Sequence, residues 1–416
     1  MALPPRPAFL RLLPGLLAFG IAGCDDSLSA RLPIPYARSE QLQTLLGEKP
    51  NLRDRVMAAV DGRFGPEPMR ILVPADSGLP DGGLHLAGSA VLEGRSDKPA
   101  VSLFYADPET STSTRQAGGH ALYRRHCLQC HGVSGDGDGV TAPFLIPRPR
   151  DYRRGIFKFT STGVGSKPTR DDLRKTILHG LPGTSMPPYE TLMSAAEVEQ
   201  VIDYVTFLSM RGEYEYRLIQ EAKDLDDSDP NSLEDDILEE DLQFILNGWK
   251  DAPTRVVMPE QPRTPVSPES LERGRKLFLG QTKEQLQCAS CHGTRAKGDG
   301  PTWIDQATYN HYVYNLDTSR ERFRKLEEVA KSKNKKWGDD WGDPIRPANL
   351  NKRMYKGGLR PIDIFWRIRN GIGQEVMPAH ANLTADQVWD LVNLVLELPY
   401  RPKLLEEGGP PSVASR

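Results

Sequence analysis

Five cysteines occur in 416 residues, and four of them form two copies of one pattern. The copies are Cys127-Leu128-Gln129-Cys130-His131 and Cys288-Ala289-Ser290-Cys291-His292. On a helical turn, residues three and four apart share a face. Two thiols and an imidazole so spaced can serve one porphyrin: the sulfurs reach its two vinyl groups while the histidine turns its ring onto the iron. C-x-x-C-H is the attachment spacing of c-type haem. A structural zinc site would want its two C-x-x-C pairs about 15–20 residues apart, and these lie far beyond that. A thioredoxin-like redox pair would want a βαβ context, and neither copy has alternating strands around it. Each motif is followed by Gly and then by Gly-Asp-Gly (Gly137-Asp138-Gly139, Gly298-Asp299-Gly300), six residues after its histidine. Chance does not repeat a whole context. Two covalently attached haem c groups are therefore expected, with His131 and His292 as iron ligands.

The elements needed to position these motifs are also duplicated. Ahead of each lies a short helix with Gly and an aromatic four residues apart, Gly119 with Tyr123 and Gly274 with Phe278. Small-then-large spacing at i, i+4 suits a helix that another crosses closely. After each Gly-Asp-Gly come a Pro-bearing loop (Arg148-Pro149-Arg150-Asp151-Tyr152; Arg346-Pro347-Ala348-Asn349-Leu350), a helix near residues 171–179 or 361–370, and a Met-Pro turn. An amphipathic helix closes each unit. The first starts at Ser194 with Glu197 three residues on, the second at Thr384 with Gln387, both capping-box patterns. Val198, Val201, Ile202, Val205 and Leu208 line one face, and Val388, Leu391, Val392, Val395 and Leu398 the other, at the spacing of a buried stripe.

This order of parts resembles the class I cytochrome c fold, in which N- and C-terminal helices cross beside the haem. The resemblance covers residues 114–211 and 267–402, so the expected fold is mostly α, with two tandem cytochrome c-like domains. It implies that Met186, in Ser185-Met186-Pro187, and Met377, in Val376-Met377-Pro378, are the distal thioether ligands. It also implies that the carbonyls of Pro149 and Pro347 hold the N–H of the motif histidines, since such outer bonds fix the imidazole. Met193 and Met210 lie at the edges of the closing helix, while Met258 and Met354 have no counterpart in the other unit. His120, His126, His179, His311 and His380 do not recur at equivalent positions, and none is assigned to iron.

Two six-coordinate His/Met haems would be relays of relatively positive potential. No proton donor–acceptor pair or substrate pocket follows from the sequence, so an electron-transfer protein is expected rather than an enzyme. The alternative is a di-haem cytochrome c peroxidase, which needs one haem with an open or displaceable position. Expected partners are a quinol-oxidising complex as donor and a terminal oxidase or soluble cytochrome as acceptor, met as a free shuttle or as a fixed subunit of a larger complex. A net charge of −3 argues against nucleic acid.

Outside the haem units the chain is less regular, consistent with 37 Gly and 35 Pro. Residues 24–113 form an N-terminal extension with one helix expected over 52–64, capped by Asn51. Residues 212–266 form an acidic linker with a helix whose apolar face is Leu233, Ile237, Leu242, Ile245 and Trp249. An insertion at about 302–343 in the second unit carries Trp303, Tyr309, Tyr312 and Tyr314, then a basic run from Arg320 to Lys336. Most such runs are solvated surface, and the sharper reading is a docking rim for an acidic partner. Residues 403–416 form a tail.

Residues 1–23 read as a signal peptide: Arg6 and Arg11, then an apolar run over 12–22 too short to span a bilayer comfortably. Ile21-Ala22-Gly23-Cys24 resembles the bacterial lipobox, with Cys24 cleaved and lipidated. The chain is thus expected on the periplasmic side of a bacterial membrane, held by lipid; covalent haem attachment also belongs outside the cytoplasm. Because several acyl chains hold firmly where one binds marginally, Cys24→Ser is expected to release the protein from the membrane or block its processing. Detergent partition and mass spectrometry of the N-terminus check this, and an unmodified mature N-terminus would refute it.

Overall fold

The computed structural model describes residues 35–68, 71–86, 118–302 and 345–406, apart from Gln374 and Val376. Cys24, His311 and the insertion beyond Thr302, with its aromatic and basic residues, lie outside the described residues. The described residues are helical, and their β-pairing is an isolated antiparallel bridge between Thr162 and Val256.

Each haem unit is a helix, a motif helix, a middle helix and a closing helix. In the first these are α3 (Gly119–His126), α4 (Leu128–His131), α5 (Arg170–His179) and α6 (Ala195–Ala222), with α1 (Glu40–Leu46) and α2 (Pro50–Phe64) ahead of them. After α7 (Asp235–Asp251), the second unit has α8 (Pro268–Phe278), α9 (Cys288–His292), α10 (Pro361–Arg369) and α11 (Ala385–Glu397). Both expected capping boxes are formed: Ser194 accepts from Glu197 N and Thr384 from Gln387 N, with each N3 side chain bonding back to its cap. The crossings are as close as the Gly spacing requires. A Cβ on Gly119 would overlap the carbonyl of Gln200 on α6, and one on Gly274 the carbonyl of Asp390 on α11.

Three boundaries differ from the sequence reading. The first closing helix does not stop at Arg211 but runs to Ala222, so the boundary at 211/212 falls inside α6. Its second half stays buried because α1, α2 and α7 surround it, and Glu213 and Glu215, read as part of an acidic linker, are interior. Glu215 accepts from Ser39 N (2.9 Å) and lies against Arg211, whose guanidinium stacks over Tyr36 at 4.2 Å. The extension likewise belongs to the first domain: Leu42, Leu52, Val56, Val60 and Phe64 share its core, and Ala37 N donates to Ser134 Oγ (2.6 Å) just past the haem motif. Helix α2 is capped at Lys49 with Pro50 following, not at Asn51, whose amide instead reaches the Asp227 carbonyl (3.1 Å). Proline at the first helical position needs no donor, which suits it to start the helix.

Helix α7 packs on α6 through Leu238, Leu242, Ile245, Leu246 and Trp249, as a helix folded onto one domain should; Ile237 is only partly buried. The segment after it joins the domains. Val257 N donates to Ser161 O (2.9 Å) in the first unit, and Trp366 Nε1 of the second donates to Val257 O (2.7 Å). Trp389 Nε1 then holds Gln261 O at 2.9 Å. Among the described residues no helix is long and apolar enough to cross a membrane.

The two crossings make a prediction. Gly119→Ala or Gly274→Ala must push a helix off a backbone carbonyl and is expected to cost about 1–3 kcal/mol of stability. Gly62→Ala, whose Cβ meets nothing within 4 Å, should be neutral or mildly stabilising. Chemical unfolding of the three variants checks the contrast, and equal stabilities would contradict it.

Candidate functional site

Both motifs fold alike at backbone level. His131 N bonds Cys127 O (2.9 Å), giving the helical turn that sets both cysteines and the histidine on one side. The Gly-Asp-Gly loop then folds back beneath the turn: Gly137 N bonds His131 O (3.0 Å) and Gly139 N bonds Cys130 O (3.1 Å). In the second unit Gly298 N bonds His292 O (2.8 Å) and Gly300 N bonds Cys291 O (3.1 Å). Glycine is needed because a Cβ on Gly139 would overlap Gln129 O, and one on Gly300 Ser290 O. A threonine completes each loop, Thr141 Oγ1 donating to Gln129 O and Thr302 Oγ1 to Ser290 O, both at 2.7 Å.

The histidines are oriented by backbone carbonyls, one residue later than the resemblance implied. His131 Nδ1 lies 3.4 Å from Arg150 O and His292 Nδ1 3.0 Å from Ala348 O. The Pro149 and Pro347 carbonyls instead face Gly137 and Gly298, so the prolines shape the loop and their successors hold the ring. A carbonyl at Nδ1 keeps the proton there and leaves Nε2 free to bind metal. Burial pushes His131 down to about 4 and lowers His292, which favours the neutral ring that iron ligation requires. Burial pushes the Cys127 thiol up to about 12 and Cys288 to about 11.

The methionine turns also repeat. Leu181 N bonds Met186 O and Ile372 N bonds Met377 O, each at 3.1 Å. Before each turn a left-handed glycine, Gly180 (φ 62°) or Gly371 (φ 67°), brings the chain against that same carbonyl. Met186 lines one largely apolar cavity with Cys127, Cys130 and His131, walled by Leu173, Ile177, Val201 and Val205. Met377 and Cys288 both pack, partly buried, on the second core. This donor set in an apolar seat fits haem c: two sulfurs for the vinyl groups, a neutral imidazole and a thioether for the iron. Met193 and Met210 are core, and Met258 and Met354 are exposed. His179 is an exposed partner of Glu190, and His120 is buried against Tyr204, pushed down to about 4 by that burial. His126 also lines the first cavity, and its carbonyl accepts from Tyr189 Oη at 2.9 Å. The place of His380 is taken in the first unit by Tyr189, so no histidine recurs there. Tyr189 N bonds Ile177 O and His380 N bonds Ile368 O, both at 3.2 Å, so they occupy matching places after their turns.

Other neighbours of the first site were not singled out in the sequence. Tyr152 places its ring 5.4 Å from that of His131 and its hydroxyl on Tyr123 Oη (2.6 Å), which donates to Gly132 O (2.8 Å). Its place after Arg148-Pro149-Arg150-Asp151 gave a signal, but no partner could be inferred before the fold. Lys356 and Glu375 of the second unit also line the first cavity, and only the docking of the two units shows this.

Residues 114–205 match the family described as cytochrome c oxidase, cbb3-type, subunit III, and residues 271–399 match the cytochrome c family. No curated protein matches the chain. A chain of the reducing HAO-like protein complex of Kuenenia stuttgartiensis is similar at 24% identity, over 67% of this chain and 94% of that one, with a TM-score of 0.43. That score is too low to bear on fold or activity.

The matched methionine turns predict that Met186→Ala and Met377→Ala each remove about half of the thioether-to-iron absorption at the red edge and lower one reduction potential. Optical spectra of the oxidised protein check this; spectra unchanged in both variants would remove the methionines from the iron.

Proposed function

We propose that this di-haem c-type cytochrome is an electron relay whose two haem sites exchange electrons within the chain. Bound haem c supplies a one-electron Fe(III)/Fe(II) couple. Cys127, Cys130 and His131 would hold one group and Cys288, Cys291 and His292 the other, with Met186 and Met377 offering a thioether sulfur to each iron. The carrying observation is the cavity shared across the units: Glu375, two residues before Met377, lines the seat formed by His131 and Met186. The two sites therefore adjoin. Repetition of the methionine turn in both units supports a relay over a peroxidase, which needs an open position.

The protein acts, in this reading, on the periplasmic side of a bacterial membrane, tethered through Cys24, as a shuttle or subunit. It takes electrons from a quinol-oxidising complex and passes them to a terminal oxidase. The match of the first domain to a family named for an oxidase subunit supports that acceptor. Photoreduction of the oxidised full chain with less than one electron per protein tests the relay. Electron redistribution between the haems is expected to be first order, with a rate independent of protein concentration. A rate that scales with concentration would show exchange between molecules and refute the intramolecular path.

A further inference from the structure

The first cavity is closed partly by charges that do not belong to its own domain. Around it the first unit supplies Arg148, Arg150, Lys158 and Asp172, and the second supplies Lys356 and Glu375. Lys158 and Glu375 form an ion pair across the boundary, with side chains only 17% and 11% exposed, so water screens it poorly. The boundary is fastened at several other points. Lys175 bonds Asp363 (2.9 Å) and sets its ammonium 5.0 Å from the Trp366 ring centre. Asn370 Nδ2 donates to Thr162 O (2.9 Å), and Arg367 stacks over Phe159 at 5.1 Å. Arg367 follows directly on Trp366, and Phe159 is itself a wall of the first cavity. Gly357, beside Lys356, has φ 81° and no room for a Cβ against Arg367 and Phe159, which fixes the chain at the rim. Lys356 and Glu375 are thus held at the first site by a built interface.

We propose that the second domain sets the reduction potential of the first haem, through Glu375 and Lys356 at the rim of the first cavity. The proposal deepens the relay reading and takes from it only that this cavity seats a haem. The oxidised group carries one more positive charge than the reduced one. A carboxylate at the rim therefore favours the oxidised form and an ammonium the reduced form. In a poorly solvated site a unit charge is worth about three- to tenfold in the ratio of reduced to oxidised haem at fixed applied potential, a tenfold change being about 59 mV for one electron. Because both charges sit on the second domain, electron entry and the order of the two potentials depend on domain docking as well as on the iron ligands.

The test is equilibrium spectro-electrochemistry of the full-length holoprotein, with the first haem's wave identified as the one that Met186→His moves. Glu375→Gln is expected to raise the reduced-to-oxidised ratio of that wave about three- to tenfold, and Lys356→Gln to lower it by a similar factor. The double variant should return close to the parent. Opposite signs separate the proposal from mere loosening of the interface, which would move the wave the same way in both variants. Retention of the red-edge thioether absorption confirms that the methionine turns are intact. A first-haem wave that stays put in both single variants, or moves in one direction in both, overturns the proposal. Failure of the relay reading would look different: exchange between haems would depend on protein concentration while these equilibrium shifts persisted.

Discussion

A backbone carbonyl stands where a β-carbon would be at residue 119, and another where one would be at residue 274. These close helix crossings determine how the rest of each unit is placed. They lock the helix before the haem motif against the closing helix, so the cysteine-bearing turn leaves at a fixed angle. Gly139 and Gly300 repeat the device on a smaller scale, letting the following loop bond back beneath the turn. The motif histidine is then met by a carbonyl from the next loop, and the methionine turn returns against a left-handed glycine. Glycines at three places in each unit let the backbone do the positioning, which leaves the side chains free to line an apolar seat.

The two units share this frame but differ in what surrounds it. In the first, α6 continues past the haem and is wrapped by α1, α2 and α7, with Arg211 between Tyr36 and Glu215 at its centre. Breaking one partner of such a buried cluster strands a charge, which costs about 3–5 kcal/mol, so the extension is integral to that domain. The second unit is smaller and docks through Lys175 with Asp363 and Lys158 with Glu375. The segment between α7 and α8 is bonded to both. Function follows from this asymmetry: one domain is a large, braced haem seat, and the other closes its rim.

Local features were the most legible in the sequence. The haem motifs, both capping boxes and the Gly-aromatic helices are statements about neighbours within one or two turns, and each appears as expected. The methionine turns were legible because Met-Pro recurs after the middle helix of each unit, and the structure gives both turns the same hydrogen bonds. Less legible was anything set by packing between distant segments. Charge at Glu213 and Glu215 suggested a solvated linker, yet Trp249 Nε1 donates to Glu213 (2.9 Å) and Lys167 pairs with it, so the acid is interior. In both units the carbonyl that holds the histidine comes one residue after the expected proline, because the proline's own carbonyl is turned against the Gly-Asp-Gly loop. Lys356 and Glu375 belong to one unit by sequence and to the other's cavity by docking, and no periodicity encodes that.

A histidine and a methionine on each iron would close both haems and suit the protein to relaying electrons. Low-temperature electron paramagnetic resonance of the fully oxidised full chain tests this most directly. Low-spin ferric signals that integrate to both haems are expected, with no high-spin component. A high-spin signal equal to one haem per chain would show an open iron and contradict it.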